Sequence, residues 1–158
     1  MDTHADDSLD RRFMQEALAQ AALARDLDEV PVGAVIVLDG EIIGRGHNQV
    51  RSRIDPCAHA EILAIRDAAQ RMGVGRLPGA VCYTTLEPCF MCAGALSHAR
   101  MSRVVWGARD PKFGACVSLG NVLTDERLNH RATITEGVLA AEAAEILQLF
   151  FRSKRSGS

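Results

Sequence analysis

The sequence predicts an α/β fold: a mixed five-stranded sheet with helices on both faces, in three α/β/α layers. Three observations carry this. Short apolar, β-branched runs alternate with longer stretches of helical periodicity. The first two runs are joined by Asp39-Gly40, a two-residue hairpin signal that makes them antiparallel. The remaining runs alternate with helices, an order that gives parallel pairing with helices on both sides.

Residues 1–9 read as a disordered lead-in, 10–155 as a single domain and 156–158 as a flexible tail. From Asp10, a possible N-cap, a helix places Phe13, Met14, Ala17, Leu18, Ala21 and Ala22 on one stripe, and Pro31 closes the loop after it. Val32 to Leu38 is a buried strand, and Glu41 to Gly46 returns alongside it. Gly44 and Gly46 suggest a bulge or a close backbone approach. Gln49 to Cys57 is loop, and a helix from His59 to Met72 carries a wide apolar face until Gly73 stops it. Ala80 to Leu86 is the third strand, followed by a helix through Ala99 and a fourth strand from Arg103 to Ala108. The polar stretch from Arg109 to Arg131 is a long loop with one helical turn near Val122-Leu123, and loops of that length are usually functional or disordered. Thr133 to Val138 is the fifth strand, and a helix from Leu139 to Arg152 closes the chain.

At 158 residues, with 47% hydrophobic and 24% charged residues, the chain has the composition of one globular domain with its own core. Its N-terminus lacks a basic start and an apolar run, and no stretch approaches a membrane span, so a cytoplasmic, reduced protein is expected. The formal net charge of −2 does not mark a nucleic-acid binder. Its distribution is more informative: acids crowd the first ten positions, whereas Arg152, Lys154 and Arg155 follow Phe150-Phe151 without an acid among them. A basic tail is usually a solvated end. Beside two aromatics it is also suited to phosphate contact next to an RNA loop.

The chemistry concentrates in His59-Ala60-Glu61 and Pro88-Cys89-Phe90-Met91-Cys92. One imidazole and two thiolates are the nitrogen/sulfur set that zinc prefers, and three protein ligands leave a tetrahedral position for water. Cys89 and Cys92 are three apart and share a helix face, and thiolates near a helix N-terminus have lowered pKa values. His59 and Glu61, two apart, diverge on a regular helix. They serve one water only if His59 stands at the helix start with non-helical dihedrals, which Pro56 and the apolar run after His59 allow. Glu61 is then the general base. A competing arrangement recruits Cys57 as a fourth ligand and closes the site as a structural one, which leaves Glu61 without a role.

The order His-x-Glu then Pro-Cys-x-x-Cys is the signature of zinc-dependent nucleobase deaminases. The chain resembles the bacterial tRNA-specific adenosine deaminases of the cytidine-deaminase-like superfamily. The likeness extends through Val30 to Val35, Asn48, Thr85 to Ala95, Gly107-Ala108-Arg109-Asp110, Asn129-His130-Arg131 and Phe150-Phe151-Arg152. The zinc motif is shared with cytosine, guanine and deoxycytidylate deaminases; the last three pieces favour tRNA. The resemblance implies a homodimer that deaminates the wobble adenosine of a tRNA anticodon loop. It implies one Zn²⁺ on His59, Cys89 and Cys92, proton transfer by Glu61, a base contact from Asn48 and a ribose contact from Asp110. It also places Arg109, Lys112, Phe151, Arg152 and Arg155 near RNA. The chain departs from the family pattern at Cys57, where a non-cysteine is usual, and at Val50, where proline is common. A free-base or nucleoside deaminase and a non-enzymatic zinc module are the alternative readings.

Overall fold

A computed structural model describes residues 3–156, with side chains for residues 7–155. The elements run α1 (Thr3–Asp26), β1 (Gly33–Leu38), β2 (Glu41–His47), α2 (Val50–Arg53), α3 (Ala60–Met72), β3 (Val81–Leu86), α4 (Phe90–His98), β4 (Arg103–Ala108), β5 (Thr133–Thr135) and α5 (Ala140–Ser156). The sheet order is β2-β1-β3-β4-β5. β1 is antiparallel to β2 and β3, and β3-β4-β5 are parallel. This is the expected mixed sheet.

Alternation along the strands sorts the core into two layers. Ala34, Ile36, Cys82, Val104 and Trp106 face α3 and α4, whereas Val35, Val37, Tyr83 and Val105 face α1. Both faces are covered, so the central strands are apolar on both sides.

Several boundaries differ from the sequence reading. Residues 3–9, expected as disordered lead-in, lie within α1, while residues 1, 2, 157 and 158 fall outside the described part. Asp10 is not a cap. It sits in the interior of α1, buried, where its carboxylate accepts hydrogen bonds from the Tyr83 hydroxyl (2.8 Å) and from both terminal nitrogens of Arg103 (2.8 and 2.7 Å). An acid this far inside a helix is retained because its charge is paired and fully hydrogen-bonded. The Gln49–Cys57 loop contains the short helix α2, β5 ends at Thr135, and α5 extends past Arg152 to Ser156.

The two glycines of β2 have a definite function. The β1–β2 register shifts between Ile36 and Val37, the bulge anticipated near Gly44. A Cβ on Gly44 would lie 2.8 Å from the Cβ of Ala68, and one on Gly46 2.6 Å from the backbone nitrogen of Ala64. Helix α3 therefore rests directly on the β2 backbone. Overpacking such a contact costs about 1–3 kcal/mol. Gly46→Ala is expected to lower stability by that amount in urea denaturation; an unchanged midpoint would contradict the close approach.

Candidate active site

Two helix N-termini meet at one point beyond the sheet. His59 is the residue before α3, with extended dihedrals (φ −77°, ψ 156°), and Cys89 occupies the same position before α4 (φ −74°, ψ 177°). The extended backbone turns the imidazole away from the helix axis, so that His59 and Glu61 reach one region despite their two-residue spacing. Cys92 lies one turn into α4, on the side shared with Cys89. The His59 Nδ1 atom is 3.7 Å from the Cys89 sulfur and 3.5 Å from the Cys92 sulfur. A tetrahedral zinc, with bonds of about 2.0 Å to nitrogen and about 2.3 Å to sulfur, separates such ligands by about 3.6 Å. The donor set and its spacing fit zinc.

Cys57 is exposed, and the group of metal-capable atoms among the described residues comprises His59, Cys89 and Cys92 without it. The closed four-ligand arrangement is not the one formed.

The electrostatics suit a cation. Hydrogen bonds from the Cys92 thiol and from the His59 ring pull the Cys89 thiol down to about 4. The reciprocal bond to Cys89 raises His59, and the bond to Cys89 together with burial raises Cys92. The three groups thus share protons around one anionic sulfur. Glu61 is 4% exposed, and burial raises its carboxyl to about 7. A carboxyl poised there takes up and releases protons near neutral pH, as a general acid–base must.

Asn48 links the hairpin to this site. Its side-chain oxygen accepts the backbone N–H of Ala60 at 2.8 Å, satisfying a donor in the first turn of α3. The oxygen is committed to the helix, which leaves the amide NH₂ as the group available to a base.

His59, Glu61, Cys89 and Asn48 line a cleft of about 730 Å³, with Asp110, Phe113 and Phe151 at its rim. A neighbouring groove of about 880 Å³ is lined by Arg109, Lys112, Lys154 and Arg155 together with Phe113 and Phe151. Of the residues the resemblance singled out, Arg152 lies in neither. On a helix, Leu147, Phe151, Lys154 and Arg155 follow three- and four-residue spacing and share a side, whereas Arg152 belongs to another. Arg109 reaches the groove while paired with Glu136 through two bonds of 2.7 and 3.0 Å. Phe113 was missed by the sequence reading; Lys154 was read only as part of the basic tail, and the helical spacing from Phe151 was the available signal for its place in the clefts.

Glu87 was missed as well. Only 2% exposed, it accepts hydrogen bonds from the backbone N–H groups of Asp110, Cys116, Val117 and Ser118 and from the Ser118 hydroxyl. It pins the 110–118 loop to the segment that carries Cys89, and that loop supplies Asp110, Lys112 and Phe113 to the clefts. Burial alone would raise this carboxyl; the hydrogen bonds from Ser118 and the loop amides outweigh it and hold Glu87 at about 2, against an ordinary 4.5. A depressed acid contributes stability that is complete above its unfolded pKa and lost as pH falls toward the folded one. Glu87→Gln should therefore be less stable than wild type at pH 7, with the difference shrinking between about pH 4.5 and about pH 2. Urea midpoints across that range provide the measurement, and a pH-independent difference would contradict the charged-anchor role.

The profile of the cytidine and deoxycytidylate deaminase zinc-binding region matches residues 7–108. The tRNA-specific adenosine deaminase of Streptococcus pyogenes serotype M18 is 49% identical over 143 residues, 90% of each chain. A structure from studies of A-to-I editing by tRNA:A34 deaminases at the wobble position of transfer RNA superposes with TM-score 0.83 and 48% identity, covering 86% of this chain and 99% of that one. The guanine deaminase of Bacillus subtilis is 41% identical with TM-score 0.59, covering 62% of this chain and 63% of that one. Likeness over nearly the full length, together with a zinc-fitting triad beside a buried glutamate, places this chain in the zinc-dependent cytidine and deoxycytidylate deaminase family, among the tRNA-specific adenosine deaminases.

Proposed function

We propose that this protein hydrolyses the wobble adenosine of a tRNA anticodon to inosine, releasing ammonia, with one Zn²⁺ per subunit held by His59, Cys89 and Cys92. The observation that carries the proposal is the buried Glu61 beside the ligand triad, at the floor of a cleft whose mouth continues into a basic, aromatic groove.

Zinc held by His59, Cys89 and Cys92 would supply a water acidic enough to act as a nucleophile near neutral pH. Glu61 would relay both protons of the attacking water in turn, the first to a ring nitrogen of the purine and the second to the departing amine, so that C6 gains oxygen and loses ammonia. The Asn48 NH₂ donates to an acceptor on the purine edge. Asp110 faces the mouth, with its carboxylate already accepting the N–H groups of Lys112 and Phe113 (3.1 and 3.2 Å), and orients the adjoining ribose. Phe113 and Phe151 offer stacking surfaces to unpaired bases, and Arg109, Lys112 and Arg155 offer charge to the backbone. An anticodon base is already unpaired, which makes it accessible to a cleft of this depth.

We assign the working unit as a homodimer. Phe90, Met91 and Leu119 are 53%, 37% and 54% exposed, and the Phe90 ring lies against Gly120, so that the start of α4 and the loop after Cys116 present one apolar surface. A second copy covers it. The five cysteines are free and no described helix is long and apolar enough to cross a membrane, features compatible with work in the cytoplasm.

Glu61→Ala should retain zinc and lose at least about 100-fold in inosine formation, the usual size of a general acid–base contribution. Metal analysis paired with an inosine assay tests it; loss of zinc from that variant would contradict the assignment. Truncation after Phe151 separates the substrate readings: activity on tRNA should fall, whereas a free-base deaminase would keep its activity on guanine or cytosine. Phe90→Arg should shift the sedimentation coefficient to that of a monomer, and an unchanged dimer would locate the interface elsewhere.

A further inference from the structure

The mouth of the cleft contains an ion cluster that the reaction above does not use. Asp28 stands in the turn after α1 with left-handed backbone (φ 61°), and its carboxylate points across the mouth. One oxygen receives the Lys154 ammonium from α5, and the other receives Arg51 from α2 at 2.9 Å. Arg51 also donates to the Asp28 backbone oxygen at 3.1 Å. Lys154 lies 5.5 Å from the centre of the Phe150 ring, which positions its ammonium.

The adjacent acid behaves differently. Glu29 is buried and accepts the N–H groups of Arg51 and Ser52 (3.1 and 2.6 Å) and the Ser52 hydroxyl (2.5 Å), so it fastens α2 to the turn. The Asp28 carboxylate is half exposed, and among the described residues it meets only the two side-chain cations. Glu29 builds the rim. Asp28 occupies it.

Two cations from separate elements converging on one carboxylate also suit a phosphodiester, which has one negative charge and two free oxygens. Lys154 lines both the cleft that holds the metal ligands and the basic groove beside it, so the cluster lies where a strand with its base in the cleft passes toward the groove. We propose that Arg51 and Lys154 form a phosphate subsite for the nucleotide flanking the target base, and that Asp28 keeps this subsite occupied until an RNA phosphate displaces it. Asp28 is then a specificity-determining residue. A polymer with a phosphate at that position repays the displaced ion pair, and a free base or nucleoside does not. The inference rests on the reading of the substrate as RNA.

Asp28→Asn keeps the shape of the side chain and removes its charge. The variant should bind an anticodon stem-loop about three- to tenfold more tightly at low salt, the range expected for removing competing exposed ion pairs. Lys154→Ala should weaken binding, and the double variant should lose the gain. If Asp28→Asn weakens binding as Lys154→Ala does, Asp28 merely fastens α5 and the proposal fails. Inorganic pyrophosphate tests the subsite without RNA: the side-chain NMR signals of Lys154 and Phe150 should shift on titration, with half-saturation several-fold lower in Asp28→Asn than in wild type. A protein that ignores the stem-loop but shows this response keeps the subsite and overturns the RNA reading. One that deaminates tRNA but shows no gain for Asp28→Asn with either ligand overturns the subsite and keeps the function.

Discussion

The site depends on how closely α3 lies against β2. The three candidate ligands come from two helix starts, and they converge only if both helices begin at a fixed place over the sheet. For α4 the position follows from β3, which runs into Cys89 through Glu87 and Pro88. For α3 it is set sideways, by Gly44 and Gly46, whose missing side chains let the helix backbone rest on the strand. The Asn48 oxygen then fixes the first turn from the end of the same strand. Helix position and Glu61 burial depend on this contact of α3 with β2. Its effect is large because packed interiors do not absorb small displacements.

That geometry also determines the charges. Glu61 enters the first turn of a helix, where a carboxylate is ordinarily favoured by the dipole, yet burial outweighs that benefit and raises it to about 7. Glu87 shows the opposite balance. No more exposed than Glu61, it is held near 2 because five donors surround it. Two buried glutamates are thus set apart chiefly by hydrogen-bond donors: one is poised near neutral pH, and the other stays ionised and holds a loop.

These contrasts mark what could be read from the sequence. The strands and the α3 and α4 helices follow from periodicity and turn residues, and the triad with its glutamate follows from ligand chemistry and spacing, because each depends on neighbours in the chain. The need for non-helical dihedrals at His59 was itself a spacing argument. What was missed depends on distant partners. Asp10 looks like a helix cap until Tyr83 and Arg103, 73 and 93 residues away, supply its hydrogen bonds. Glu87 looks like part of a motif until the loop amides 23 to 31 residues later surround it. The basic tail was visible as a composition, but which of its cations face the clefts depends on α5 continuing to Ser156, past the aromatic pair.

Net charge is a poor guide to a nucleic-acid partner for the same reason. At −2 the chain as a whole repels a polyanion weakly, but the field that matters is local and screened within about 8–10 Å. Around the clefts, Arg109, Lys112, Lys154 and Arg155 gather on one face, and Arg109 and Lys154 are engaged by Glu136 and Asp28 in exposed pairs. Exposed pairs are weak and exchange readily. A phosphate can therefore take a cation from a carboxylate at little cost, whereas the buried acids Glu29, Asp10 and Glu87 keep their partners because exchanging them would strip a charge of its donors. Burial sorts the acids of this protein into those that hold the fold and those that yield to a ligand.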